Sequence, residues 1–289
     1  MSGFLSRSYH QAISTPHFVR FLTSWCLPPL ALACIRAIFS LYIFTTLFTS
    51  LGLLLSWHDS HGARTSFSYF TILTYWGLGF YFAVSAFHGF AYATRGPSGL
   101  AAGSLADDTG ASDSGGKRTL RFAHSAFYAT ITVFPIIVTA VFWGVLVGPG
   151  VLYDQYAYWA NISEHAMNSA FAIFEIVIPR TDPNPWVHAG VLVVLLALYL
   201  ALSFVSHAIN HVYVYPFLNI QEKGSTFVAI AIVLILVAML IVFAVVHGIM
   251  YFRKWVTESK KRLPGKFSKH DQRSVDEEKQ PSVQVRELS

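Results

Sequence analysis

Long apolar stretches alternate with short polar segments along the chain, a pattern typical of helical membrane proteins. A membrane-spanning helix needs about 20 mostly apolar residues. Six stretches reach or approach this length, at residues 37–57, 68–94, 123–147, 158–178, 186–215 and 226–252. We therefore predict an all-α, polytopic transmembrane bundle of about six helices, with residues 37–252 as the membrane domain.

The fourth stretch differs from the others because polar residues interrupt it. They are Asn161, Ser163, Glu164, His165, Asn168 and Glu175. Ionisable groups at membrane depth cost several kcal/mol unless they pair or face a cavity, so such residues are functional candidates. This stretch is the first place to look for a site.

Three segments lie outside the predicted helices. Residues 1–36 mix arginines, aromatic residues and prolines, which favours an interfacial segment that leads into the membrane. Residues 95–120 are rich in Gly, Ser and Asp and predict a flexible loop. Residues 253–289 form a basic tail that we expect to be disordered.

Composition and charge agree with this topology. Hydrophobic residues make up 54% of the 289 positions and charged residues only 12%, which is too apolar for a soluble domain. With six helices, all but Arg64 and Lys223 of the 20 Lys and Arg residues lie on one side. Positive residues favour the cytoplasmic side, so we predict that both termini are cytoplasmic.

The excess of positive charge also bears on partners. It lies mainly in the tail, where it would contact anionic lipid, rather than on a soluble surface that would bind nucleic acid. Cys26 and Cys34 have neither a metal-ligand spacing nor a disulfide framework, and no dinucleotide-binding glycine motif occurs. We expect membrane lipids as partners, no metal or cofactor, and the endoplasmic reticulum or plasma membrane as the location.

Three polar residues on different predicted helices fall at one depth. With a rise of 1.5 Å per residue, Thr74, His165 and His207 each lie about 10 Å below the outer boundary. An imidazole near a hydroxyl can act as its general base. Thr74 and His165 are therefore a candidate nucleophile and base, with Asn161 and His207 as candidate donors to an oxyanion or to the imidazole.

Structural roles remain open for the same residues. A threonine in a membrane helix often bonds a carbonyl of the preceding turn, and a histidine can join helices through hydrogen bonds. We expect Glu175 to meet Arg180 near the inner boundary. The roles of Glu164, His88 and His211 stay open.

Several short motifs carry a resemblance to a known family. They are Leu73-Thr74-Tyr75, Phe134-Pro135, Val141-Phe142-Trp143, the spacing of Trp159, Asn161, His165 and Glu175, and His207 followed by Tyr213–Leu218. Together, over about residues 66–222, they resemble the androgen-induced family of membrane proteins, whose characterised mammalian members hydrolyse fatty acid esters of hydroxy fatty acids.

This resemblance implies an intramembrane hydrolase of lipid esters. Thr74 would be the nucleophile and His165 the general base, with Asn161 and His207 as supporting residues. The chain departs from the family at Ile162 and Ala208, where many characterised members have histidines. These departures leave the proposed pair intact and leave the substrate open.

Two other functions fit the same residues. Intramembrane histidines and carboxylates form relays in transporters of small solutes or protons, although no internal repeat supports that function here. A non-catalytic scaffold or regulator would use the polar residues only to join helices. A reductase is disfavoured because the chain has no dinucleotide-binding motif.

Overall fold

The protein is mainly helical in the part of the chain that the structure describes. This structure, a computed structural model, describes residues 17–57, 59–96, 115–148, 150–152, 154–261 and 263. Most of the predicted 95–120 loop, nearly all of the tail beyond residue 261 and the first 16 residues lie outside the described residues. Within these ranges no β-strand occurs, and a single bridge joins Ser24 to Pro179. The all-α fold class is confirmed.

Ten α-helices are described here in chain order. They are α1 (His17–Leu22), α2 (Pro29–Ser56), α3 (Ser60–Thr65), α4 (Phe70–Arg95), α5 (Gly115–Val141), α6 (Gln155–Asn161), α7 (Asn168–Val177), α8 (Val187–Asn210), α9 (Ile220–Lys223) and α10 (Ser225–Lys254). The π-helical turns are Phe142–Leu146 after α5, Ile162–Met167 between α6 and α7, and Trp255–Lys260 after α10. Two of these turns form the candidate site.

Five helical segments are long and apolar enough to cross a membrane. They are Pro29–Ser56, Phe70–Arg95, Arg118–Leu146, Val187–Asn210 and Ser225–Lys260. They correspond to five of the six predicted spans and confirm a membrane protein. The remaining predicted span is a continuous helical segment through α6, the π turn and α7. Its polar residues distinguish it from the five apolar segments.

Four helix boundaries differ from the prediction. Helix α5 begins at Gly115, inside the predicted 95–120 loop, and the last long helix continues through its π turn to Lys260, inside the predicted tail. The first long helix begins at Pro29 rather than at residue 37. Proline is favoured in the first turn of a helix, because an amide hydrogen there would have no partner within the helix. Arg36 is therefore inside this helix and not in an interfacial segment. The fifth predicted helix ends at Asn210 rather than at residue 215, because His211 adopts a left-handed conformation with φ of 58°.

Helices α2 and α4 pack closely because glycines face α2. A Cβ atom on Gly89 would lie 2.9 Å from the Cβ of Ala33, and one on Gly79 would lie 2.9 Å from Cγ2 of Ile43. Ser40 on α2 donates to the carbonyl of Gly79 at 3.1 Å. Small residues permit this close approach where lipid supplies little hydrophobic driving force between helices.

A buried ion pair joins α2 to α7. Arg36 donates through Nε and Nη2 to the two carboxylate oxygens of Glu175, at 2.7 and 2.8 Å, and both side chains are 0% exposed. The Tyr81 hydroxyl donates to the same carboxylate at 3.1 Å. The expected contact between Glu175 and Arg180 is wrong, because Arg36 occupies the carboxylate and Arg180 lies 3.9 Å from Glu258 instead.

A second charged cluster joins the ends of three segments on the predicted cytoplasmic side. Arg20 on α1 pairs with Asp182 at 3.0 Å and with Glu258 at 2.5 Å. Lys254 also pairs with Asp182, and Arg253 donates to the carbonyl of Ile176 at 2.6 Å. These contacts fix the segment between α7 and α8 against both ends of the described chain.

Candidate active site

The His165 imidazole is held between two π-helical turns. The residue lies in the turn Ile162–Met167, and its ring stacks on Phe142, the first residue of the turn Phe142–Leu146. The ring centroids are 3.6 Å apart and the planes differ by 4°. Single π-helical turns inside helices are often found at functional sites. The stack fixes the plane of the imidazole.

Hydrogen bonds below the ring fix the backbone of His165. Thr139 on α5 donates to the His165 carbonyl, and its hydroxyl lies 2.6 Å from that of Ser169. Ser169 donates in turn to the carbonyl of Pro135 at 3.0 Å. The third and fourth predicted spans are thus joined at the level of the imidazole.

The ring itself keeps hydrogen-bonding capacity for another group. His165 is 7% exposed, and its Nδ1 atom is buried without a hydrogen-bond partner among the described residues. A buried polar atom without a partner is costly, so it is a candidate for contact with water or a ligand. The side chain is therefore available to accept or donate a proton.

His165 lines a large cavity between the helices. The cavity has a volume of about 740 Å³. Apolar and aromatic residues from the second half of α2, the start of α4, the π turn after α5, α6 and the segment after α8 form most of its wall. The polar side chains on this wall include Ser50, Thr71, Asn161, Glu164 and His165. A ligand here would meet hydroxyl, amide, carboxyl and imidazole groups.

The four predicted site residues relate to this cavity in different ways. His165 and Asn161 line it, whereas Thr74 and His207 are absent from its described wall. Asn161 donates through Nδ2 to the carbonyl of Ala157 at 2.8 Å, so part of its amide is engaged within its own helix. The catalytic roles of all four remain predictions.

Thr74 makes a bond within α4 and lies beside the cavity wall. Its hydroxyl donates to the carbonyl of Thr71 at 3.0 Å, which is the local contact that a structural role predicts. Thr71, one turn earlier, does line the cavity. With about 100° of rotation per residue, Thr74 lies between Phe70 and Thr71 in projection, one turn deeper along the helix.

His207 contacts an aromatic residue of the cavity wall. Its ring stacks on Tyr213, with centroids 3.7 Å apart and planes that differ by 13°, and Tyr213 lines the cavity. The Nδ1 atom of His207 is also buried without a partner among the described residues. His207 therefore supports the wall behind Tyr213.

A second, smaller cavity adjoins the first. It has a volume of about 180 Å³ and lies between α4, the end of α5, α8, the segment after α8 and α10. Its wall is apolar except for Thr71, Tyr199 and Tyr215. The two cavities share Thr71, Tyr215, Phe142 and Leu146 as wall residues. We call the larger one the polar cavity and the smaller one the apolar cavity.

Three wall residues were missed from the sequence. Thr71 lies one helical turn before Thr74, so the spacing in the sequence offered a second candidate hydroxyl on the same helix. Phe142 lies in the Val-Phe-Trp motif, but its stack on His165 depends on two π turns that hydropathy does not predict. Tyr215 lies outside the helices, and burial raises the pKa of its hydroxyl, which accepts a hydrogen bond from the Phe70 amide at 3.1 Å.

The site offers no obvious metal centre. Among the described ranges, no group of three or more His, Cys, Asp or Glu side chains is arranged to hold a metal ion. The groups near His165 are instead those that transfer protons or donate hydrogen bonds.

Comparison with known proteins identifies a family. A family model described as FAR-17a/AIG1-like protein matches residues 58–247. This range includes Thr71, Thr74 and His165. No curated protein and no solved structure matches the chain. The match covers more than half of the chain and agrees with the resemblance seen in its short motifs. The chain belongs to the FAR-17a/AIG1-like family.

Proposed function

We propose that this protein is an intramembrane hydrolase of lipid esters that uses a threonine of α4 as nucleophile and His165 as general base. The observation that carries the proposal is the oriented imidazole of His165, which lines the same cavity within the helical bundle as the side chain of Thr71. Its supporting evidence is the family membership and the resemblance of the Leu-Thr-Tyr and His165 motifs to those of characterised hydrolases.

The proposed reaction has two steps, transfer of the acyl group to the threonine and hydrolysis of the acyl-threonine. In the first, His165 removes the hydroxyl proton of the threonine while the oxygen attacks the ester carbonyl. The bond to the alcohol oxygen breaks, and His165 returns the proton to the leaving alcohol. In the second, His165 takes a proton from a water molecule that attacks the acyl-threonine, and it returns this proton to the threonine oxygen as the fatty acid leaves. Asn161 is the proposed donor to the oxyanion, because it lines the same cavity.

Thr74 is the proposed nucleophile. The family resemblance implies this residue, and a change of its χ1 rotamer would release its hydroxyl from the Thr71 carbonyl. Thr71 is the alternative nucleophile, because its side chain already lines the cavity with His165. Both threonines lie on α4, so the choice between them leaves the reaction unchanged.

Activity assays of point variants test the proposal. The purified protein in lipid nanodiscs is assayed on a panel of lipid esters, with Thr74→Ala, Thr71→Ala and His165→Ala beside the wild type. Loss of about 10²-fold or more is expected for the nucleophile and for the base. Thr130→Ala is the matched control, since Thr130 donates to the carbonyl of Phe127 three residues earlier, as Thr74 does to that of Thr71.

The outcomes separate the hypotheses. Loss of activity in Thr74→Ala and His165→Ala, with Thr130→Ala unchanged, supports the proposed pair. Loss in Thr71→Ala but not in Thr74→Ala assigns Thr71 as the nucleophile. If both threonine variants keep full activity, the threonine mechanism is wrong. If the wild type hydrolyses no ester, the hydrolase proposal fails and a non-catalytic scaffold explains the polar residues better.

A further inference from the structure

Among the described residues, the wall of the apolar cavity has only three side chains with polar atoms, Thr71, Tyr199 and Tyr215. The Tyr199 hydroxyl donates to the carbonyl of Ser68 at 3.0 Å, and the hydroxyls of Tyr199 and Tyr215 both accept from the Phe70 amide at 3.1 Å. The protein itself therefore uses these two polar groups of the wall. Thr71 is the third, and it lies where the apolar cavity meets the polar cavity. The remaining wall suits a hydrocarbon.

The shape of the apolar cavity fits a chain that runs along the helices. Its wall extends from Val193 to Leu200 on α8, which is about 10 Å, and from Ile137 to Leu146 along α5 and its π turn, which is about 13 Å. One end of this space borders the polar cavity through Thr71, Phe142, Leu146 and Tyr215. A hydrocarbon in this cavity would present its head to His165.

The two cavities differ in a way that orients an ester. We propose that the apolar cavity binds the acyl chain of the substrate, while the polar cavity receives the alcohol part; this proposal rests on the proposed hydrolase function. After acyl transfer the chain stays on the threonine, whereas the alcohol must leave. The larger polar cavity, of about 740 Å³, gives the alcohol a route past Asn161 and Glu164.

The cavity would select chains by shape rather than by hydrophobicity. A chain that enters from lipid exchanges one apolar environment for another, so each buried methylene contributes far less than it would on transfer from water. Steric fit therefore decides which acyl chains place their carbonyl beside the nucleophile. A large side chain in the cavity should discriminate against long acyl chains and leave short ones unaffected.

Two pairs of variants test the assignment. Leu196 on α8 lines the cavity, whereas Leu198 on the same helix is 61% exposed on the lipid-facing surface. Leu236 on α10 lines the opposite wall, and Leu234 on that helix is 62% exposed. Leu196→Trp and Leu236→Trp fill the cavity from two sides, and Leu198→Trp and Leu234→Trp add the same side chain outside it. Two filling variants guard against misfolding of either one.

The first readout is independent of catalysis. The protein in phosphatidylcholine nanodiscs is irradiated with decanoic acid that carries a terminal diazirine, with and without excess unlabelled decanoic acid, and labelled peptides are mapped by mass spectrometry. We expect labels on the cavity wall that the unlabelled acid suppresses. This labelling should be at least fivefold weaker in both filling variants and unchanged in both lipid-facing variants. Equal labelling in all variants overturns the assignment, as does competed labelling by a photoreactive sterol in place of the fatty acid.

The second readout uses the proposed activity. The ratio of kcat/KM for esters of long and short acyl chains should fall about tenfold in each filling variant and stay constant in each lipid-facing variant. An unchanged ratio in an active filling variant contradicts the assignment but leaves the hydrolase proposal intact. If the cavity is labelled and the unlabelled acid suppresses this labelling, but the protein hydrolyses no ester, the acyl-chain site is supported and the hydrolase proposal is wrong.

Discussion

Removal of the carboxylate of Glu175 should strongly destabilise the protein. In Glu175→Leu the guanidinium of Arg36 stays fully buried and loses both of its carboxylate bonds, which are 2.7 and 2.8 Å long. Hydrogen bonds to charged groups contribute about 1.5–3 kcal/mol each, and loss of one partner of a buried pair costs about 3–5 kcal/mol. The Tyr81 hydroxyl loses its acceptor as well. We expect a loss of about 4 kcal/mol in the free energy of unfolding.

The assay measures unfolding in mixed micelles by titration with sodium dodecyl sulfate. The double variant Arg36→Met with Glu175→Leu removes both charges, so it should recover most of the lost stability. Glu222→Leu serves as the exposed control, because Glu222 pairs with Lys223 at 2.6 Å and exposed pairs contribute at most about 1 kcal/mol. If Glu175→Leu costs no more than Glu222→Leu, or if the double variant is no more stable than Glu175→Leu, the reasoning is refuted.

Three further predictions concern packing, the imidazole and topology. Gly89→Leu should cost about 1–3 kcal/mol in the same unfolding assay, because its side chain would collide with Ala33. Phe142→Leu should lower ester hydrolysis about 2- to 10-fold, because an aromatic stack contributes about 0.5–1.5 kcal/mol to the position of His165. In a variant without the two native cysteines, His61→Cys should react with an impermeant maleimide on one face of sealed membranes and Lys260→Cys on the other, because the turn before α4 and the end of the last long helix are predicted to lie on opposite sides.

Matched variants control these experiments. Gly52→Leu lies on α2 where an added Cβ meets nothing within 4 Å, so it should be nearly neutral. Trp143 is 38% exposed and does not stack on His165, so Trp143→Leu should keep more activity than Phe142→Leu. Equal effects within either pair would contradict the structural explanation. Labelling of His61→Cys and Lys260→Cys from the same face of the membrane would contradict the predicted topology.

Hydropathy predicted the long helices well because lipid-facing residues must be apolar whatever their neighbours are. The fourth segment was harder, since its polar residues lower its hydropathy, yet it is helical from Gln155 to Val177. Helix ends were least predictable. Pro29 begins a helix that hydropathy placed later, because Arg36 within it is neutralised by Glu175 from a distant part of the chain.

The site shows a second limit of sequence reasoning. The helical rise fixes the depth of a residue but not the direction of its side chain, because each step also turns the chain by about 100°. The helical rise therefore predicted that Thr74, His165 and His207 lie at one level. The direction of the side chains around the helix determines which residue lines the polar cavity, and this residue is Thr71 rather than Thr74. The π turns at Phe142 and His165 add further rotation that hydropathy could not predict.

The most direct test of the proposed mechanism is to locate the reactive hydroxyl. The purified wild type and His165→Ala are treated with a fluorophosphonate, which transfers its phosphorus group to an activated hydroxyl with loss of fluoride, and the adduct is mapped by mass spectrometry. We predict one principal adduct on Thr74, with Thr71 as the alternative on the same helix, and its loss in His165→Ala. An adduct on neither threonine, or equal labelling of both proteins, would contradict a threonine nucleophile activated by His165.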